Sequence, residues 1–271
     1  MSEGRAGNGQ AEPQQASRNL PRREVIAAGP PDAPPDTPRR LVLPPPYDQH
    51  LCEDGDVLDE AVRRAPEEGA GTLVWRKSGG LLAFTVVLEP EKPLREARLA
   101  FFAGMSALGD ALAAHCAPDK PLRFAFPDTV LFDTARLGGA RFVTPEGCGE
   151  DDVPDWMVFA VELIGDRDHL PHPGMFPDSI SLAEEDFEES ELIVESFASY
   201  LMLYFDRWTH QGFEAVVRPY LDRLEPKLEA GARAIADGDL IERLPDGETR
   251  RLGLLEGLAA CAWRDGKGPR L

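Results

Sequence analysis

TLVWRKSGGLLAFTVVL, residues Thr72 to Leu88, is the stretch that decides the architecture. Thr72-Leu73-Val74-Trp75 reads as a buried strand, and Leu82 to Leu88 as a second one, with β-branched Thr85, Val86 and Val87. Between them Arg76-Lys77-Ser78-Gly79-Gly80 joins two cations to two glycines, a composition that predicts a tight loop. The expectation is a hairpin with a basic, glycine-bearing tip.

Working outward, Val57, Leu58, Ala61 and Val62 predict a short helix before the hairpin, ended by Pro66 and Gly69-Ala70-Gly71. After it, Leu94, Ala97, Phe101, Met105, Leu108 and Leu112 repeat at three- and four-residue spacing, which predicts one core helix from Leu94 to His115. Phe124, Phe126, Val130 and Phe132 suggest a strand pair interrupted at Pro127-Asp128, and Leu137 to Val143 follows the Asp133-Thr134 turn. Trp156 to Ile164 is almost continuously apolar, the mark of a central strand covered on both faces. Glu184 to Glu195, with acids and no base, reads as a solvated loop leading into a helix through Ile193, Phe197, Leu201 and Trp208. A further helix follows Gly212, and the Asp246-Gly247 step predicts a hairpin near the end. The order of elements indicates an α+β architecture: a mixed β-sheet flanked by helices, with a small β-rich C-terminal domain. Residues 1–44, rich in Pro, Gly and Arg, are expected to be a disordered tail, 45–224 the main domain and 225–271 the small one.

The chain has 271 residues with 29 basic and 48 acidic side chains, a net charge of -19. Such a field repels phosphate backbones and anionic lipid, so neither nucleic acid nor a membrane surface is an expected partner. No apolar run near the length of a spanning helix stands out, and the first fifteen residues hold no signal-peptide core, so the expected location is cytoplasmic. Cys52, Cys116, Cys148 and Cys261 are spaced for neither a zinc site nor a disulfide framework. His169 and His172 would hold a metal only with a further ligand, and no metal ligand set is assigned. There is no GxSxG elbow and no Walker loop.

Two turns carry the candidate chemistry. In Arg76-Lys77-Ser78-Gly79-Gly80, cations precede glycines whose N–H groups can approach an anion. Arg136-Leu137-Gly138-Gly139 repeats the device. In an acidic body, the two are expected to converge on one hollow able to grip an anionic ligand.

The order of these segments resembles the biotin/lipoate protein ligase catalytic family, in its bacterial branch with a small C-terminal domain of unassigned role. Trp75-Arg76-Lys77-Ser78-Gly79-Gly80 is similar to the lipoate-ligase RRxSGGG pattern, Phe126-Pro127-Asp128 resembles WPND of biotin ligases, and Asp133 to Gly139 resembles D-x-x-K-[LI]-[AS]-G. The resemblance implies an enzyme that condenses biotin, lipoate or octanoate with ATP to an acyl-adenylate, with Mg²⁺, and transfers the acyl group to a lysine of an acceptor biotinyl or lipoyl domain. It implies Trp75, Arg76, Lys77, Ser78, Gly79, Gly80, Asp128, Arg136, Gly138 and Gly139 as ligand contacts, Lys77 and Arg136 as the charge-stabilising pair, and Asp128 as a Mg²⁺ ligand. The chain departs from the pattern in two ways: the long Gly/Arg-rich loop of biotin ligases is cut to a few residues, and the family lysines are missing. The lysine before WPND falls on Ala125, and all five lysines lie outside residues 121–226, leaving Arg136 in the family lysine's place. The alternative reading is therefore a degenerate member that binds a cofactor or a lipoyl or biotinyl domain without turnover. A third takes the acidic chain as a structural or interaction protein.

Overall fold

The apolar strands named above assemble into one mixed sheet because each buries side chains on both faces. In this computed structural model, residues 1, 39–78, 80–118 and 120–271 are described. The tail expected over 1–44 falls mostly outside the described residues, as does Gly79. The remainder belongs to one compact unit, Pro38–Leu271.

The chain runs β1 (Asp48–Leu51), α1 (Val57–Glu68), β2 (Thr72–Ser78), β3 (Leu81–Leu88), α2 (Leu94–Ala97), α3 (Ala100–Ala114), β4 (Leu122–Ala125), β5 (Thr129–Phe132), β6 (Ala135–Val143) and β7 (Met157–Ile164). Then come α4 (Ser190–Gln211), α5 (Phe213–Arg223), β8 (Leu224–Glu225), β9 (Ala232–Ala236), β10 (Asp239–Arg243), β11 (Thr249–Leu252), α6 (Leu254–Ala260), β12 (Arg264–Asp265) and β13 (Gly268–Pro269). Eight strands form the main sheet in the order β1-β2-β3-β7-β6-β5-β4-β8, antiparallel except for β1 on β2 and β8 on β4. β11-β10-β9 form a small antiparallel sheet and β12-β13 a short hairpin.

Alternation along the strands builds two cores. Leu82, Phe84 and Val86 of β3 join Phe159, Val161 and Leu163 of β7 under α3, α4 and α5. Ala83 and Val87 turn the other way, with Val158 and Ala160, to pack beneath α1. Covering on both faces explains why β3 and β7 read as continuous apolar runs, and every residue of β7 is buried. α3 is apolar almost all round because it lies between sheet and helices. Gly104 lets it approach β7, for a Cβ there would stand 2.4 Å from the Phe159 ring.

The segment Leu94–Ala114 is long and apolar enough to cross a membrane, but most of it is buried within this core. It is also two helices rather than the single one expected. Amides of Leu99, Phe101 and Phe102 reach back three residues, to Glu96, Arg98 and Leu99, and this tighter turn breaks the ladder. The stretch from Glu184 to Glu195 leads into α4 as expected but is less free than a solvated loop. Most of its carboxylates are engaged: Glu184 pairs with Arg167, Glu185 with Lys120, Glu191 with Lys77 and Glu195 with Arg39, and Glu188 hydrogen-bonds His115.

Candidate functional site

Strand geometry sorts the residues expected at the site. Arg76, Lys77 and Ser78 are not loop: β2 runs through them to Ser78, which pairs with Leu81 at the start of β3. Neighbouring side chains on a strand leave opposite faces. Arg76 therefore faces away from α3, α4 and α5, while Trp75 and Lys77 face towards them. Trp75 is buried in the main core. Lys77 Nζ lies 3.1 Å from Oε2 of the buried Glu191. Both expectations are corrected, Trp75 as a ligand contact and Lys77 as a cation beside Arg76, because each belongs to the opposite face. Arg76 is fixed by Nε donating to Ser78 Oγ at 2.8 Å and Nη1 donating to the Gly55 carbonyl at 2.7 Å. Gly80, at φ +77°, is closed against the loop after β7, where a Cβ would stand 2.7 Å from the Asp166 carbonyl oxygen. That contact, rather than an anion, accounts for the glycine.

The second turn is shaped by a bulge. Val130 pairs with Gly138 but Leu131 with Arg136, so Leu137 has no partner and the alternation of β6 slips by one. The slip puts Arg136 on the same face as Gly139 and Arg141, across the row Arg76, Ala83, Glu162, Gly139. Gly138 backs onto β7, a built Cβ standing 2.1 Å from the Glu162 carbonyl oxygen, and at Gly139 a Cβ would stand 2.4 Å from the Trp263 indole. Protein atoms thus occupy the space expected for a ligand over both glycines.

Trp263 comes from the end of the chain. It is 1% exposed, its carbonyl accepts from Arg270 N at 2.9 Å, and Arg136 Nη1 donates to the Arg270 carbonyl at 2.9 Å. Next to it Arg264 Nε reaches Glu162 Oε2 at 3.3 Å. Arg76 and Arg136 do share a face, but three strand spacings, about 14 Å, separate their strands. Trp263 and Arg264 fill the ground between. The single hollow expected is instead two cavities, about 360 Å³ beside Arg136 and Trp263 and about 230 Å³ beside Arg76, Glu162, Arg264 and Lys267.

Arg141 anchors the smaller cavity's wall, with Nη2 at 2.7 Å from Asp56 Oδ1 and 2.5 Å from Glu162 Oε1. Burial opposes ionisation of Asp56, but the Arg141 hydrogen bonds and charge outweigh it and hold the carboxyl below its ordinary range. Asp56 also caps α1, accepting from Leu58 N at 2.8 Å.

Asp128 behaves in the opposite way. It is 2% exposed, Thr129 Oγ1 lies 3.3 Å from its Oδ1, and Oδ2 has no hydrogen-bond partner among the described residues. Burial pushes its pKa up to about 6, against the weaker pull of the Trp263 indole and the Thr129 hydroxyl. A carboxyl so enclosed does not fit a Mg²⁺ ligand, which corrects that expectation. Among the described residues no group of three His, Cys, Asp or Glu side chains is placed to hold a metal. The raised pKa has a testable sign. Ionisation of Asp128 costs the folded state nothing below the unfolded value near 4 and progressively more up to about 6. Asp128→Asn should therefore exceed the wild type by about 3 kcal/mol at pH 8 and match it near pH 4, as read from urea unfolding. A difference that is the same at both pH values would remove Asp128 as the cause.

Two other features lie apart from this face. A larger hollow of about 930 Å³ at the opposite end of the strands is lined by Tyr47, Val86, Met157, Met202, Phe205 and Trp208 and collects no cations of the candidate site. His115 joins Glu188 Oε2 and Ser196 Oγ, each at 2.7 Å. Ser196 lies within α4, whose own ladder uses the nearby amides, so this trio ties the end of α3 to α4 without an oxyanion pocket.

A mixed sheet flanked by helices, with a small β-rich unit at its C-terminal end, is the build of the biotin ligase fold. A biotin protein ligase-like protein of unknown function from Silicibacter sp. TM1040 superposes with a TM-score of 0.67 at 21% identity, over 80% of this chain and 98% of that one. Biotin protein ligase from Aquifex aeolicus in complex with biotin and ATP gives 0.56 at 14% identity, over 76% and 95%. A variant of that enzyme in complex with biotin gives 0.57 at 12%, over 77% and 96%. No curated protein matches the chain. Residues 43–222 match the Biotin/lipoate A/B protein ligase family, and the chain belongs to it.

Proposed function

We propose that this protein activates a small carboxylic acid of the biotin, lipoate or octanoate kind with ATP and passes the acyl group to a lysine of a biotinyl or lipoyl acceptor domain. The observation that carries this reading is the cationic row itself. In a chain of net charge -19, Arg76, Arg141 and Arg264 gather on the sheet face opposite α3, α4 and α5, beside the start of α1, in a member of this ligase family. In the first step a carboxylate oxygen attacks the α-phosphorus of ATP, and the bond to the β-phosphate breaks to release pyrophosphate. In the second the acceptor amine attacks the acyl carbon and AMP departs. Both steps concentrate negative charge, so fixed guanidinium groups accelerate them by positioning and charge stabilisation. Arg76, held by Ser78 and Gly55, is preorganised for that work. Arg136 supplies a planar two-point donor at the other cavity.

A second reading, binding without turnover, draws on Trp263. With that side chain on Gly139, the cavities of about 360 and 230 Å³ stand at or below the low end of the roughly 300–1,000 Å³ typical of sites for larger ligands. Acid-dependent exchange of labelled pyrophosphate into ATP separates the two. The first reading expects exchange with at least one of biotin, lipoate and octanoate, reduced about 100-fold in Arg76→Met with the fold intact. No exchange with any of the three would leave the binding module.

A further inference from the structure

We propose that Arg76, Arg264 and Lys267 enclose a binding site for a phosphate-class anion, completed by residues that the C-terminal hairpin lays across the sheet. The site is the cavity of about 230 Å³ between the start of α1, the end of β2 and the β12-β13 turn. Its size suits a small anion. At about 30 Å³ per water it has room for some seven waters, enough for a phosphate or pyrophosphate with part of its hydration.

The charges select it further. The charged groups lining the cavity are Arg76, Arg264 and Lys267 against Asp56 and Glu162, with Arg141 behind the two carboxylates. Both carboxylates are already engaged, Asp56 by Arg141 and Glu162 by Arg141 and Arg264. Arg76 and Lys267 have no carboxylate within ion-pair distance among the described residues. Two positive charges are thus left over in a molecule whose net charge is -19, a surplus that suits a dianion and rejects a cation. The Arg76 guanidinium, with Nε and Nη1 committed to Ser78 and Gly55, keeps its orientation and has Nη2 to offer, and Lys267 provides a mobile point charge on the facing rim.

This supplies a reason for the hairpin's position. No lysine lies in residues 121–226, and the chain instead brings one to this face from position 267. Identifying the anion with the phosphates of ATP rests on the activation reading, whereas the anion site itself does not.

The test is calorimetric titration of the full-length protein with inorganic phosphate, pyrophosphate, ATP and lipoate, run beside the exchange assay. Lys267→Ala should weaken pyrophosphate binding at least tenfold, Lys267→Arg should recover most of it, and Lys227→Ala, a cation of the same C-terminal region outside the cavity, should change nothing. Affinity should fall steeply with salt. Equal affinity in Lys267→Ala and wild type, no binding of phosphate, pyrophosphate or ATP by the wild type, or lipoate competing for the same cation as strongly as pyrophosphate would each overturn the site. Full exchange activity in Lys267→Ala would overturn the site and spare the activation reading. Lysine-dependent pyrophosphate binding without exchange for any acid would support the site and overturn activation.

Discussion

Trp263→Ala should cost the fold about 3 to 5 kcal/mol, the range for removing a large buried aromatic side chain. The indole is 1% exposed and rests on Gly139, so its loss opens a void that the flat strand backbone cannot refill. Urea unfolding measures the cost, and a loss under about 1 kcal/mol would mean that the C-terminal hairpin is not packed on the sheet. The same variant informs on function. Removing the indole enlarges the cavity beside Arg136, so under the activation reading exchange should persist or rise at temperatures where the variant is folded. Under the binding reading no exchange appears with or without the indole.

Gly138→Ala should be more damaging still. A Cβ there would stand 2.1 Å from the Glu162 carbonyl oxygen and 2.9 Å from Leu163 Cα, both backbone atoms of the central strand β7. Side chains can rotate out of such a clash but a paired strand cannot, so the penalty should exceed about 4 kcal/mol and the variant is expected to be largely unfolded by circular dichroism. Gly174→Ala is the control: nothing lies within 4 Å of its Cβ position, and its stability should stay within about 0.5 kcal/mol of wild type. A folded Gly138→Ala would show that the bulge between β5 and β6 has room to relax.

These two positions also mark where sequence reasoning stops. The hairpin, the buried central strand, the helices through Phe197 and Val216 and the mixed sheet were legible because burial on two faces writes itself as apolar runs and three-to-four spacing. β1 was not, since Asp48-Gln49-His50-Leu51 is an exposed edge with little apolar signal, and α6 lay inside a segment read only as β-rich. At the site, charge beside glycine identified Arg76 and Arg136 on one face but assigned Gly80, Gly138 and Gly139 to a ligand where protein atoms stand. A glycine that must admit a ligand and one that must admit Glu162 or Trp263 look identical in sequence. Arg141, Glu162 and Asp56 were missed. Glu162, a lone acid inside Met157–Ile164, was the available signal, for a buried carboxylate requires a cation on a neighbouring strand. Arg264 and Lys267 carried no local signal at all, because their relevance depends on a contact more than 100 residues away in the chain, as in the pair between Arg264 and Glu162 separated by 102 positions.

The course of β2 as a paired strand out to Ser78 has a consequence for editing this protein. Parity along the strand, not local composition, decides that Arg76 looks one way and Lys77 the other. Lengthening the tip beyond Ser78 would leave both orientations untouched. Deleting one residue between Trp75 and Ser78 would turn later side chains over, sending an arginine or lysine into the wrong layer and stranding Glu191 without its counter-charge. Tolerance of insertions on one side of Ser78 and intolerance of deletions on the other would distinguish a strand from the flexible basic loop that the letters suggest.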